Sequence, residues 1–429
     1  MRRTNKLRLR PTKEQEKALL NLCEMSAVLW NKLNYIRRQS FFGGRFEWEE
    51  CVAELYNEFK RIIGAATAQQ IIRKNNEAWR SFFALLKLKS QGKLPSHIHK
   101  ISPPRYWKDR KSGRRKPMTV IRNDLYRIEE EGKKKCLVLP KGLKKIKATG
   151  SIRWKGKRGR LEIFYDDLTG RWYAHQSVEV DQPRHTIPPT STKAFVDLGV
   201  TNIITAWIEG ERRCVAFSGK PLLSDWWYWS RKISEHQSEL KRVNGRNTSK
   251  HLRKLYRRRQ RRFRHAINTI VHRFSKLCLR KSVSEIIVGD VSHIRDNNDK
   301  GNKINAMIHN FWSFRYIVER LKTTAENFGI SVRVVSERGT SSKCPWCNSK
   351  NVRKHKRLFK CLSCGIEAHR DVVGALNIAL LYGEGFNGVL AHPAVLMDCK
   401  PTRHLAIQGG RMSNANRIRN RELRECAWA

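Results

Sequence analysis

The sequence predicts a multidomain α+β chain: an α/β domain that carries a cysteine ribbon, and an antiparallel β-barrel with a helical domain inserted after its first strand. Three observations carry this. Two Cys-x-x-Cys pairs, Cys344/Cys347 and Cys361/Cys364, stand thirteen residues apart. Between residues 193 and 381, apolar strand-like runs alternate with amphipathic helical ones, and acids stand at strand ends and at a helix start. Between 95 and 180, short runs of period-two alternation, such as RLEIFYD and RWYAHQSVEV, follow one another across Gly and charged turns.

Composition narrows the partners. The 429 residues carry 88 Lys+Arg against 38 Asp+Glu, a formal net charge of +50, and 40% are hydrophobic, enough to fill ordinary cores. Such a charge repels itself unless a polyanion neutralises it, so nucleic acid is the expected partner. A membrane surface is disfavoured, because the basic residues run along the whole length instead of forming one cluster. No run approaches the roughly 18 apolar residues of a membrane span, and the start, MRRTNKLRLRP, has no signal-peptide core. A cytoplasmic protein with no membrane association, meeting the nucleoid when bound to DNA, is expected. Of eleven cysteines, four form the two pairs; the others are scattered without framework spacing and are expected to be reduced.

Each element follows in order. Lys6 to Arg10 (KLRLR) alternates charge with leucine as a strand does, and Pro11 ends it. Thr12 with Gln15 has capping-box spacing and opens a helix to about Phe42. Gly43 and Gly44 break it, a second helix spans about 48–63, and a third spans 65–89; their Trp and Phe stripes read as core. From 95 to 180 come the barrel strands, from which the loop PPRYWKDRKSGRRKP projects. Its Arg105, Tyr106, Trp107, Arg114 and Arg115 combine phosphate-binding and base-stacking side chains. Residues 181–192, with three prolines, read as a linker.

The second half opens with KAFVDLGVTNIITAW, read as two strands around a tight turn at Gly199. Asp197 lies within an apolar strand, where a carboxylate needs a cation; a turn or cap role is the alternative on these residues alone. A long helix follows. From Lys241 to Ser284 there are sixteen Lys/Arg and no acid, with apolar residues at helical period, so one side packs while Lys254, Arg257, Arg258, Arg261 and Arg262 face phosphate. The strand SEIIVGD, a helix over 311–328 and the strand SVRVVSE lead into the ribbon, and Asp371 opens the last helix. An acid at a helix start stays ionised. The four thiolates of Cys344, Cys347, Cys361 and Cys364 suit a tetrahedral Zn²⁺, whose binding would supply the folding energy of a ribbon too small for a core.

Strand, hairpin, helix, strand, helix, strand, ribbon, helix is an RNase H-like order, and acids so placed suit two Mg²⁺ ions about 4 Å apart for phosphodiester displacement. DLGVTNIITAW, GTSSKCPWC…CLSCG and HRDVVGALNIA resemble the RuvC and zinc-ribbon half of the TnpB family, the RNA-guided nucleases of IS200/IS605-type transposons, to which miniature type V CRISPR effectors are similar. The resemblance implies a wedge barrel completed by residues 1–10 and 93–192, a recognition domain over 11–92, a RuvC-like domain over 193–340 and 367–390, a zinc ribbon over 341–366 and a basic tail over 391–429. It also implies a guide RNA and a target DNA as partners, with one or two protein copies per guide and a short target-adjacent motif read by the protein.

Carried over by position, Asp197 is the first RuvC acid and Asp371 the third. The second departs from the family, which has Glu where this chain has Gly289. Glu337, at the end of the strand before the ribbon, resembles the rearranged acid of some members, with Gly289 leaving room for it; Asp290 is the alternative. Val373 stands where the family usually has Asn. The rival functions are a guided DNA-binding repressor whose nuclease has decayed, and a plain RNA-binding protein with a structural zinc.

Overall fold

The computed structural model describes residues 1–398 apart from 50, 96–97, 99, 109–114, 116, 133, 141–142, 182–191, 292–304, 306, 308–310, 338, 383 and 387. The chain divides into two compact units, Met1–Gln182 and Pro183–Ala429. Residues 182–191 of the linker, Arg114 and residues 399–429 of the tail lie outside the described residues.

In the first unit β1 (Arg2–Arg10) alternates exposed and buried residues, burying Leu7 and Leu9. It lies inside a seven-stranded sheet with β2 (Met118–Ile121), β3 (Arg127–Glu131), β4 (Lys134–Leu139), β5 (Lys144–Thr149), β6 (Lys157–Asp166) and β7 (Arg171–Glu179), in the order β2-β6-β7-β1-β5-β4-β3. Every pairing is antiparallel, and β1 joins β7 to β5. The capping box at Thr12 and Gln15 is made and starts α1 (Lys13–Phe42); α2 (Val52–Ile63) and α3 (Ala65–Ser90) follow. Leu19 and Cys23 of α1 join the sheet core, whereas Ala27, Leu29, Trp30 and Leu33 pack against α2 and α3. One helix thus belongs to both cores, and the helical insertion and the sheet form one unit.

The second unit is built on a six-stranded sheet of β8 (Lys193–Asp197), β9 (Asn202–Ile208), β10 (Arg213–Ser218), β11 (Glu285–Asp290), β12 (Ser331–Ser336) and β16 (Leu390–Asp398), in the order β12-β11-β8-β9-β10-β16. β8, β9 and β10 form an antiparallel meander, β11 and β12 extend it parallel to β8, and β16 runs parallel to β10. Parallel neighbours need crossovers, supplied here by α4 (Lys220–Asn244), α5 (Lys250–Arg280) and α6 (Phe314–Glu326). Alternation splits each central strand between two cores: Val196, Ile286 and Val288 meet α5 and α6, while Phe195 and Ile287 meet α7 (Arg370–Leu381). A three-stranded ribbon of β13 (Val352–His355), β14 (Leu358–Cys361) and β15 (Glu367–His369) precedes α7.

Three expectations are corrected. The sequence reading passes from the second strand to the basic helix and misses β10 and α4. The helix expected to span 241–284 is a hairpin, broken at Gly245 (φ 60°) and restarted by Ser249, whose side chain caps Leu252. The expected tail from 391 contributes β16, because β10 leaves an open edge that accepts a parallel strand.

Candidate active site

The two knuckles come together. Cys344 Sγ lies 3.7 Å from Cys364 Sγ and Cys347 Sγ 3.5 Å from Cys361 Sγ, and one ligand atom from each of the four lies within 4.8 Å of the others. Sulfurs at 2.3 Å from a tetrahedral Zn²⁺ stand about 3.8 Å apart, so the set fits that ion. The backbone N–H groups of Cys364 and Ser363 help hold the Cys361 thiol down at about 6, favouring the thiolate that a metal requires. Val373, from α7, is fully buried against Cys344, Phe359 and Cys361, and so takes part in the ribbon's core.

Asp197 ends β8, Glu337 follows β12 and Asp371 opens α7. Asp197 ends β8 on the α7 side, two residues after Phe195. A Cβ on Gly374 would lie 3.0 Å from Asp197 Cγ and 3.1 Å from its Oδ1, so the helix passes directly against this carboxyl group. Mid-helix glycine costs roughly 1 kcal/mol relative to alanine, and the close approach requires it. Gly289 is on the same side, like Ile287. A Cβ there would lie 2.4 Å from Glu337 Oε2 and 3.2 Å from Glu337 Cβ, so the glutamate's side chain occupies the space that Gly289 leaves. Alternation assigns Asp290 to the opposite side of the sheet, with Val288 and Ile286.

Asp371 opens α7, where His369 Nδ1 accepts its backbone N–H at 3.2 Å. Asn202 donates to its Oδ2 at 2.9 Å and Arg357 to its Oδ1 at 3.1 Å; Arg357 also donates to Thr201 Oγ1. The sequence reading misses both partners. Asn202 has a signal, five residues after Asp197 in the same hairpin; Arg357, in the ribbon turn between the knuckles, has none short of the fold.

Burial and like charges act on two of these acids. Burial, then the charges of Asp371 and Glu337, push Asp197 well above the usual carboxylate range, against the pull of Arg370 and Arg357. Burial, then Asp290, pushes Glu337 up to about 7, and its buried Oε2 has no hydrogen-bond partner among the described residues. These acids are more loosely grouped than the thiols: among the described residues, only the four cysteines form a ligand set tight enough for one ion.

The expected nucleic-acid residues sort by burial. Lys254, Arg258 and Arg261 are exposed on α5 and Arg257 is half-buried. Arg258 stacks 4.5 Å from the Trp229 ring. Arg262 is corrected to an internal role: it pairs with Asp225 at 2.6 Å, and Asp225 is 5% exposed. Trp107 is corrected likewise, being 9% exposed and stacked on Trp30 with centroids 4.5 Å apart. Arg105 and Arg115 are exposed and Tyr106 is half-buried. No helix of the described residues is long and apolar enough to cross a membrane.

Over 397 residues, 88% of this chain and 86% of the relative, the sequence is 33% identical to the TnpB-like protein ORF457 of Acidianus two-tailed virus. The chain belongs to the TnpB family. Family descriptions match this TnpB-family chain as "Probable transposase" over 175–295, "Cas12f1-like, TNB domain" over 314–378 and "Helix-turn-helix domain" over 1–39. In the structure the last region is a strand and one long helix. The CRISPR-associated endodeoxyribonuclease Cas12f1 of Sulfoacidibacillus thermotolerans is 23% identical over 235 residues, 51% of this chain and 52% of that one. Among solved structures, the mini-RNA-guided endonuclease CRISPR-Cas_phi3 aligns with a TM-score of 0.50 at 11% identity, covering 90% of this chain and 93% of that one, a likeness of fold.

Proposed function

We propose that this protein is a guide-RNA-dependent DNA endonuclease that cleaves target DNA beside a short adjacent motif by two-ion phosphodiester hydrolysis. The observation that carries the reading is the filling of the Gly289 space by the Glu337 side chain, on the side of the sheet that also holds Asp197. Three acids then share one side of an RNase H-like sheet. The relatives named as RNA-guided endonuclease and endodeoxyribonuclease support the same activity.

Asp197, Glu337 and Asp371 would hold two Mg²⁺ ions; the orphaned Oε2 of Glu337 and the like charges around Asp197 fit that load. When bound, the ions supply polarisation of the scissile phosphate and neutralisation of the leaving 3′ oxygen. Asn202 fixes the rotamer of Asp371 through a buried hydrogen bond. Arg357 brings a fixed positive charge beside that carboxylate, and its fork can turn to a phosphate oxygen. The exposed residues of α5 and the 103–117 loop would meet guide or target phosphates, while base pairing reads the sequence. In this reading the first unit is the wedge barrel with its recognition helices, and one or two copies serve each guide.

Purified protein loaded with its guide should cut matched DNA in Mg²⁺, and Asp197→Ala should abolish cutting while leaving guide binding intact. Loss with Glu337→Gln but not with Asp290→Asn would support the rearranged second acid. Cutting by Asp197→Ala at the parent rate would refute the acid assignment. If the parent binds matched DNA without cutting, the guided repressor becomes the better reading.

A further inference from the structure

In the first unit, a short segment is riveted along α1. Trp30 Nε1 donates to the Arg105 carbonyl at 3.0 Å, Asn31 Oδ1 accepts the Trp107 N–H at 2.7 Å, and Asn34 Nδ2 and Arg38 Nη1 donate to the Pro104 carbonyl at 2.9 and 3.0 Å. These four helix residues recur along one stripe, and Trp107 stacked on Trp30 closes the joint. The anchoring leaves Tyr106 beside the helix, where the Arg38 guanidinium lies 5.6 Å from its ring and 5.5 Å from the ring of Phe42. Lys108 Nζ also lies 5.6 Å from the Tyr106 ring.

This face presents two large rings to solvent. Phe42 is 66% exposed and Tyr35 55% exposed. Seven residues apart on α1, the two point in nearly the same direction. Phe42 is backed by Phe41, whose ring packs on Trp79 and Phe82. Among the described residues, none of Arg38, Arg105, Lys108 and Arg115 is paired with a carboxylate. Exposed rings beside cations that have no carboxylate partner among the described residues are the components of a surface that stacks bases while tracking a phosphate backbone.

We infer that Tyr35, Arg38, Phe42 and Tyr106 form a stacking surface for unpaired DNA, the strand that a guided nuclease must open from its duplex. The inference rests on the nucleic-acid part of the reading above and adds the residues and the strand. Two exposed rings replace base-stacking lost on opening, and Arg38 neutralises a phosphate between them. Rings carry no charge, so their removal has a signature that removal of a cation does not share.

The test uses the full chain and a twelve-nucleotide single strand carrying 5-iododeoxyuridine, with an RNA strand of the same sequence and an abasic DNA strand alongside. Photo-cross-linking is expected at Tyr35, Phe42 or Tyr106. Phe42→Ala and Tyr106→Ala should each weaken DNA binding by about tenfold, with the slope of log affinity against log salt unchanged, whereas Arg38→Ala should flatten that slope by about one. Phe42→Trp should bind as the parent does, and thermal melting of each variant guards against a folding defect. Cross-links confined to other segments, equal binding of the abasic strand, preference for the RNA strand, or parent-like affinity in the Phe42→Ala/Tyr106→Ala double variant would each overturn the inference. Cleavage measured on the same preparations separates the two readings. Asp197→Ala should lose cutting and keep the cross-links, and parent cutting without these cross-links removes the stacking surface alone.

Discussion

Gly289→Ala gives the sharpest account of the site, because one methyl group tests where the second acid lies. The new Cβ would sit 2.4 Å from Glu337 Oε2 and 3.0 Å from Ile378 Cδ1. That is about 1 Å inside ordinary contact, so the carboxylate must move by about that much. Misplacing a reacting group by about 1 Å costs on the order of a hundredfold in rate. Overpacking a core site costs roughly 1–3 kcal/mol, but expelling a buried, like-charged carboxylate toward water returns part of it. Gly289→Ala should therefore melt within a few degrees of the parent while single-turnover cleavage falls about a hundredfold. Moving the acid supplies the complement. Gly289→Glu with Glu337→Ala should cut faster than either single variant, since the double change restores one carboxylate to the same space. Cleavage by Gly289→Ala within about threefold of the parent rate would refute this reasoning, as would full activity of Glu337→Ala.

Three further outcomes are expected. Glu337 is raised to about 7 in the folded, metal-free protein, so the folded state binds a proton more tightly than the unfolded chain does; its stabilising contribution is present below about pH 4 and is lost as pH rises through 7. In chelator, Glu337→Gln should remove up to about 3 kcal/mol of that loss, read as a smaller fall in melting temperature between pH 5 and pH 8; parallel pH profiles would count against the buried carboxylate. Arg262→Ala should destabilise by about 3–5 kcal/mol by stranding Asp225, whereas Arg261→Ala should leave melting unchanged and lower the salt slope of nucleic-acid binding by about one; the reverse pattern would undo the sorting of α5. Zinc removal by a strong chelator should free four titratable thiols and lower cleavage as much as Arg357→Ala does, because the ribbon turn is what carries Arg357 to Asp371; retained cleavage after zinc loss would separate the two.

Local chemistry made much of this protein legible in its sequence. The Thr12–Gln15 capping box, the glycine break after α1, the spacing of the two knuckles and the period-two run of β1 each depend on residues close along the chain, and each appears in the structure as read. Even the space at Gly289 was open to reasoning, because a missing side chain on a buried strand must be filled by something. Elements whose partners are distant were less legible. β16 becomes a strand because the β10 edge is free, α4 separates from α5 at a single glycine within a continuously basic run, and Arg262 and Trp107 turn inward because Asp225 and Trp30 await them. Arginine and tryptophan have the same composition signal on a surface as in a core. Residue types and local periods set which segments form and which groups can bind metal or phosphate; burial and pairing between residues distant along the chain decide which of those groups face the site, since desolvation and packing depend on neighbours that only the folded chain supplies.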